Sequence, residues 1–227
     1  MSETDTDAVV SELVADPPDA DGHDDDQPHE AAHDHDHAHD HENDPELSEE
    51  ALEAQNERIR QRALSQIRQY PDVALRMKAS EVTEFDELLG QLVEQMLRLM
   101  TDAQGLGLAA PQLGILQRLF VFSAGEDQGA AAIVNPRIVE SSSETAVELE
   151  GCLSLQGVHV PVERVTTVTI EGVDPSGVAV RFDLEGLAAR CVQHELDHLD
   201  GVLIIDRTDE EHRKEAQGIL RPQIVLR

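Results

Sequence analysis

The sequence predicts an α+β fold, with antiparallel β-sheets arranged around one central helix. Short β-rich runs are grouped between residues 119 and 184 with little strand–helix–strand alternation, and Asp174-Pro175-Ser176-Gly177 joins the last two as a hairpin. A segment with helical period follows at 186–199, so the strands precede the helix that they enclose.

In chain order, residues 1–45 read as a disordered acidic, His-rich tail. Residues 1–50 hold 19 of the 47 acidic side chains and no Lys or Arg, which places −19 of the formal −30 charge there. Seven of the 11 histidines fall in the same stretch, five of them in the run His33-Asp34-His35-Asp36-His37-Ala38-His39-Asp40-His41. Without aromatics or an amphipathic period, such a segment buries too little apolar surface to offset the entropy of ordering. Residues 46–63 read as a charged helical linker, in which Ser48 is followed three residues later by Ala51 rather than by the acid of a capping box. Residues 64–227 then suit one ordinary domain.

Within that domain the spacing predicts a helix over 86–101, with Phe85, Leu88, Leu89, Leu92, Met96, Leu99 and Met100 as its buried stripe. A glycine-rich loop, Gly105-Leu106-Gly107-Leu108-Ala109-Ala110-Pro111-Gln112, comes next. It lacks the Lys of a P-loop and the further glycine of a dinucleotide fingerprint, so its glycines are read as allowing a substrate backbone to approach closely. Strands are expected at 119–123, 131–134, 138–141, 165–173 and 178–184. Helices are expected at 186–199 and 209–220.

No run approaches the roughly 18 apolar residues of a membrane span, and no basic stretch followed by an apolar one opens the chain. A cytoplasmic location without membrane contact is expected. In that reducing compartment the two cysteines, Cys152 and Cys191, are expected to stay unpaired. The strong negative charge disfavours direct reading of nucleic acid.

The chemistry concentrates in Gln193-His194-Glu195-Leu196-Asp197-His198. On a helix, residues i and i+4 share a face, so His194 and His198 can bind one cation while Glu195 exchanges a proton with an activated water. The helix at 186–199 is thus the metal-binding helix. The run follows the metzincin spacing H-E-x-x-H-x-x-G-x-x-H until its last position, which is Ile204, a residue that cannot ligate. A third ligand must come from elsewhere. Cys152, in Glu150-Gly151-Cys152-Leu153-Ser154, offers the softest donor available. A zinc peptidase using Asp200, Asp206 or Glu210 remains open, as does a metal-buffering role for the tail. His159 and His212 are single histidines and read as structural or surface groups.

The glycine-rich loop, the segment around Cys152 and the two-histidine helix together resemble the peptide deformylase family, whose motifs read G-φ-G-φ-A-A-x-Q, E-G-C-φ-S and Q-H-E-x-D-H, where φ is apolar. All three are complete and in order. Tyr70-Pro71-Asp72 with Leu75-Arg76, and Ile133-Val134-Asn135-Pro136, extend the resemblance, which covers about residue 64 onward. It implies a hydrolase that removes the formyl group from the N-terminal methionine of new polypeptides, releasing formate. It further implies a divalent ion, Fe²⁺ foremost with Zn²⁺, Ni²⁺ or Co²⁺ as alternatives, held by Cys152, His194 and His198. Glu195 would move the proton, and the Gln112 amide and the Leu153 N–H would hold the oxyanion. Substrate would lie along Gly107, with Cys191 and Val192 walling the methionine pocket. Asp197 is expected to orient a ligand or the helix, and a position near the ribosomal exit tunnel is expected for the enzyme. Gln156 and His159 depart from the common pattern beside the groove, which leaves peptide specificity open.

Overall fold

A computed structural model describes residues 48–125 and 129–221, so the tail expected at 1–45 lies outside the described residues. The chain enters through α1 (Glu49–Leu64), where the Ser48 side chain accepts from the Ala51 N–H. The last turn of α1, Ala63 and Leu64, is buried in the core. Next comes α2 (Glu87–Asp102), capped by Asp86 accepting from the Leu89 N–H. Its buried stripe is Leu89, Val93, Met96 and Met100, with Leu99 beside them.

Two residues expected in that stripe stand outside it. Leu88 is 70% exposed, because it lies about 100° around the helix from Leu89 in the first turn. Phe85 precedes the helix and is partly exposed, lying against the hairpin turn at Gly177.

A five-stranded sheet has the order β1-β2-β3-β6-β7, and every pairing in it is antiparallel. Its strands are β1 (Gly107–Ala109), β2 (Leu119–Ser123), β3 (Ala130–Ser141), β6 (Thr167–Val173) and β7 (Ala179–Glu185). The intervening strands β4 (Thr145–Gly151) and β5 (His159–Val165) make a separate antiparallel ribbon. The runs expected at 131–134 and 138–141 are therefore one strand. Between them Asn135 takes φ +51° and its side-chain amide pairs with the N–H and C=O of Val82, so the ladder shifts register at Asn135-Pro136 without ending. The run expected at 165–173 divides between two sheets, since Val165 closes β5 and Thr167 opens β6.

The interior strand β2 is buried on both faces. Successive side chains point to opposite sides, so Leu119 and Val121 meet the α2 stripe while Phe120 and Phe122 face the other layer. That layer is α3 (Gly186–Leu199), whose Ala189, Val192 and Leu199 pack on Phe120, Phe122, Ile133 and Ile170. A third cluster joins β5 to α4 (Ile204–Arg207) and α5 (Glu210–Leu220). The helix bearing both histidines thus lies between the large sheet and the ribbon. No helix among the described residues is long and apolar enough to cross a membrane.

Candidate metal centre

Three side chains converge toward the C-terminal end of α3. His194 and His198 lie one turn apart, with ring centroids 5.0 Å apart. Cys152 leaves the end of β4, and its Sγ lies 3.3 Å from His198 Nε2. One donor atom from each of Cys152, His194 and His198 lies within 4.8 Å of the others. This is a soft thiol with two imidazoles, the donor set of a tetrahedral transition-metal site that keeps a position open. His198 is also prepared electronically. Burial, with His194 nearby, holds the His198 imidazole well below its usual pKa and therefore neutral, and its buried Nδ1 has no protein partner among the described residues.

His194 is oriented by Glu150, whose Oε2 lies 3.0 Å from its Nδ1. Burial alone would raise the Glu150 carboxyl, but the bonds to His194 and Arg164 outweigh it and bring the pKa from 4.5 to about 2. An ionised carboxylate only accepts, so Nδ1 carries a proton; against the effect of burial, hydrogen bonds to Cys152 and Glu150 raise the His194 pKa well above its usual value, so a cation at Nε2 would displace a proton. Arg164 holds Glu150 through two bonds of 3.0 and 3.1 Å, and Arg190 adds a third of 2.8 Å. Arg164 also reaches Asp197 Oδ2 at 2.6 Å, and Arg207 donates to both oxygens of Asp197. Asp197 therefore orients no imidazole directly. It fixes the arginine that fixes Glu150. Glu150, Arg164 and Arg190 were missed in the sequence, although Glu150 stands two residues before Cys152.

Glu195 projects into the same cleft. It is 4% exposed, its Oε2 has no partner among the described residues, and burial lifts its pKa from 4.5 to about 7. The Gln112 side chain, also buried, accepts from the Ala109 N–H at 2.8 Å. Its amide nitrogen therefore faces Ser154 Oγ at 3.1 Å, with Cys152 Sγ 3.9 Å away. The N–H of Leu153, in the turn after Cys152, donates to no protein group among the described residues.

A cleft of about 420 Å³ opens onto these groups. Gly107 lines it on β1, the edge strand of the large sheet. Cys191 lines it too, but as an inert thiol: burial, then the Glu195 charge, raises its pKa well above the usual value, and its Sγ bonds to Leu106 O at 3.2 Å. Val192 does not reach the cleft. It lies about 100° around α3 from Cys191 and is fully buried against the sheet. Gln156 and the exposed His159 stand on the rim, and His212 serves the N-terminus of α5 by pairing with Asp209. Of the downstream acids, Asp200 binds Arg118 and Asp206 binds Arg76 and the Leu203 N–H, so neither is available as a third ligand.

A profile of the family described as polypeptide deformylase matches residues 64–214. The chain belongs to the peptide deformylase family. Family relatives include peptide deformylase 1 of Corynebacterium glutamicum, 42% identical over 161 residues that span 70% of this chain and 95% of that one. The peptide deformylase of Thermotoga maritima is 46% identical over 65% of this chain and 88% of its own. Among solved deformylases, the crystal structure from Legionella pneumophila superposes with TM-score 0.65 at 41% identity, covering 68% of this chain and 91% of that one. The Thermotoga maritima crystal structure gives 0.61 at 47%, covering 63% and 96%. The deformylase match begins at the last residue of α1, so that helix lies almost wholly outside it.

Proposed function

We propose that this chain hydrolyses the formamide at the N-terminus of N-formylmethionyl polypeptides, releasing formate and a free amine. The observation that carries the reading is the convergence of Cys152, His194 and His198 in one cleft beside Glu195, whose Oε2 has no partner among the described residues. Cys152, His194 and His198 would hold one divalent ion, and Fe²⁺ is the ion we assign. Such an ion supplies Lewis acidity, lowering the pKa of a water toward about 7 and polarising a carbonyl oxygen.

The remaining work falls to the chain's own groups. Glu195, with a pKa near 7, takes a proton from the attacking water as its oxygen bonds to the formyl carbon. Negative charge then develops on the former carbonyl oxygen, toward which the Gln112 amide and the Leu153 N–H donate. Glu195 returns the proton to the nitrogen as the C–N bond breaks, so one water is consumed and the carboxylate is regenerated. Because β1 is an edge strand, the substrate backbone can add to it along Gly107. Leu106 and Leu187 give the cleft apolar walls beside Cys191. We assign the reaction to the cytoplasm, on nascent chains leaving the ribosome.

The test is turnover of formyl-Met-Ala-amide by the purified chain, with elemental analysis of the protein and of its Cys152→Ala variant. Turnover with one ion per chain, lost together with that ion in the variant, is expected. Full metal occupancy after Cys152→Ala would overturn the ligand set, and absence of turnover at full occupancy would overturn the activity.

A further inference from the structure

Arg60 lies on α1, outside the span shared with the family, yet it lines the same cleft as Cys152 and Glu195. Two arginines border that cleft, and they differ in availability. Arg190 is buried and committed to Glu150, Glu148 and the carbonyls of Val162 and Ala146. The nearest acid to Arg60 is Glu57, at 3.6 Å with both side chains exposed, which is beyond hydrogen-bond reach.

The direction of the cleft gives Arg60 a role. The glycine-rich loop runs from Gly107, where an added Cβ would strike Glu195, to Gly105, where it would lie 2.8 Å from Leu153 Cδ1. Leu153 in turn packs on the cluster containing Leu64, one turn beyond Arg60 on α1. A peptide whose formyl end sits at Glu195 and whose backbone follows the loop from 107 to 105 advances about 3.3 Å per residue. Its third residue therefore arrives beside Leu153 and α1.

We propose that Arg60 forms a subsite for a carboxylate at the third residue of the formylated peptide, either an acidic side chain or a free C-terminus. This rests on the deformylase reading. The local cation opposes the field of a chain whose formal charge is −30, which otherwise repels acidic peptides.

The experiment measures kcat/KM of the full-length, metal-loaded protein on formyl-Met-Ala-Xaa-Ala-amide with Xaa as Glu, Gln or Lys. A parallel pair, formyl-Met-Ala-Ala with a free or amidated C-terminus, separates the two carboxylate sources. Arg60→Gln should lower the Glu-to-Lys ratio roughly two- to five-fold, as for a partly exposed ion pair, chiefly through KM. Arg60→Glu should lower it further, Arg60→Lys should keep most of it, and added salt should shrink it. Arg58→Gln, one charge removed from the same helix but not in the cleft, should leave the ratio as it is. If Arg60→Gln and Arg58→Gln shift the ratio equally, or neither does, the subsite is overturned while deformylation stands. If no formylated peptide is turned over at all, the deformylase reading itself fails.

Discussion

Gly107 and Glu195 occupy adjoining space with no room for a methyl group between them: a Cβ on Gly107 would come within 2.7 Å of Glu195 Cγ and closer still to its carboxylate. The glycine is needed here for the missing side chain, because it lets β1 run directly over the proposed base. Gly107→Ala should push that carboxylate aside. The loss in kcat should approach that of Glu195→Gln, and the double variant should be little worse than either single one, since residues acting as a unit are not additive. Additive losses would show that the two positions act separately.

Glu195→Gln should retain the bound ion and lose about 10² to 10⁴ in rate, the usual worth of a positioned proton carrier. Elemental analysis beside steady-state kinetics checks both halves. Near-normal turnover in the loaded variant would remove Glu195 from the mechanism.

The Glu150 carboxyl falls from 4.5 to about 2 on folding, so it binds protons less tightly in the folded chain than in the unfolded one. Its stabilisation is present above pH 4.5 and is lost as pH falls through 2, amounting to about 3 kcal/mol at 1.36 kcal/mol per unit. In metal-free protein, urea denaturation across pH 5 to 2 should show this slope. Glu150→Gln should flatten it and cost about 3 to 5 kcal/mol at neutral pH, because Arg164 and Arg190 are left buried without their carboxylate. An unchanged slope in the variant would assign the acid transition to another group.

Cys152 and Cys191 should respond differently to oxygen. Cys152 is partly exposed beside two imidazoles, whereas Cys191 is buried, kept protonated and bonded to Leu106 O. Aerobic handling of the Fe²⁺-loaded protein should inactivate it, with oxygen added to the peptide containing Cys152. Peptide mass spectrometry that found the oxygen mainly on Cys191 would contradict this.

Deleting residues 1–45 should leave kcat/KM on formyl-Met peptides within a few-fold while abolishing weak binding of extra Ni²⁺ or Zn²⁺, because their alternating His and Asp offer imidazole and carboxylate donors. Titration calorimetry on both forms is the check. Loss of turnover with the central ion still bound would make the tail part of the catalytic fold.

What the sequence revealed was local. The i, i+4 histidines fixed the working face of α3, its bounds at 186–199 agree with the structure, and Cys152 was singled out by donor softness. The features missed depend on distant partners. β1 is three residues long and exists only against β2, while β4 and β5 alternate charged and apolar residues whose pairing with each other no local period reveals. Glu150 and Arg164 read as surface charges until the ribbon docks on α3 and buries both. Val192, expected as a pocket wall, stands beside Cys191 in sequence but about 100° away around α3, which places it in the core instead.

The buried arginines also set which disturbances the site tolerates. Arg164 joins Glu150 on the ribbon to Asp197 on α3 with both partners out of solvent, whereas a pair such as Arg98 and Glu94 lies in open water. Mobile ions screen the second kind and barely reach the first. The spacing of Cys152 from the two histidines should therefore survive brine that dissolves the surface pairs. A single neutralised charge at Glu150 or Arg164, in contrast, would let ribbon and helix drift apart, so this centre is more exposed to mutation than to salt.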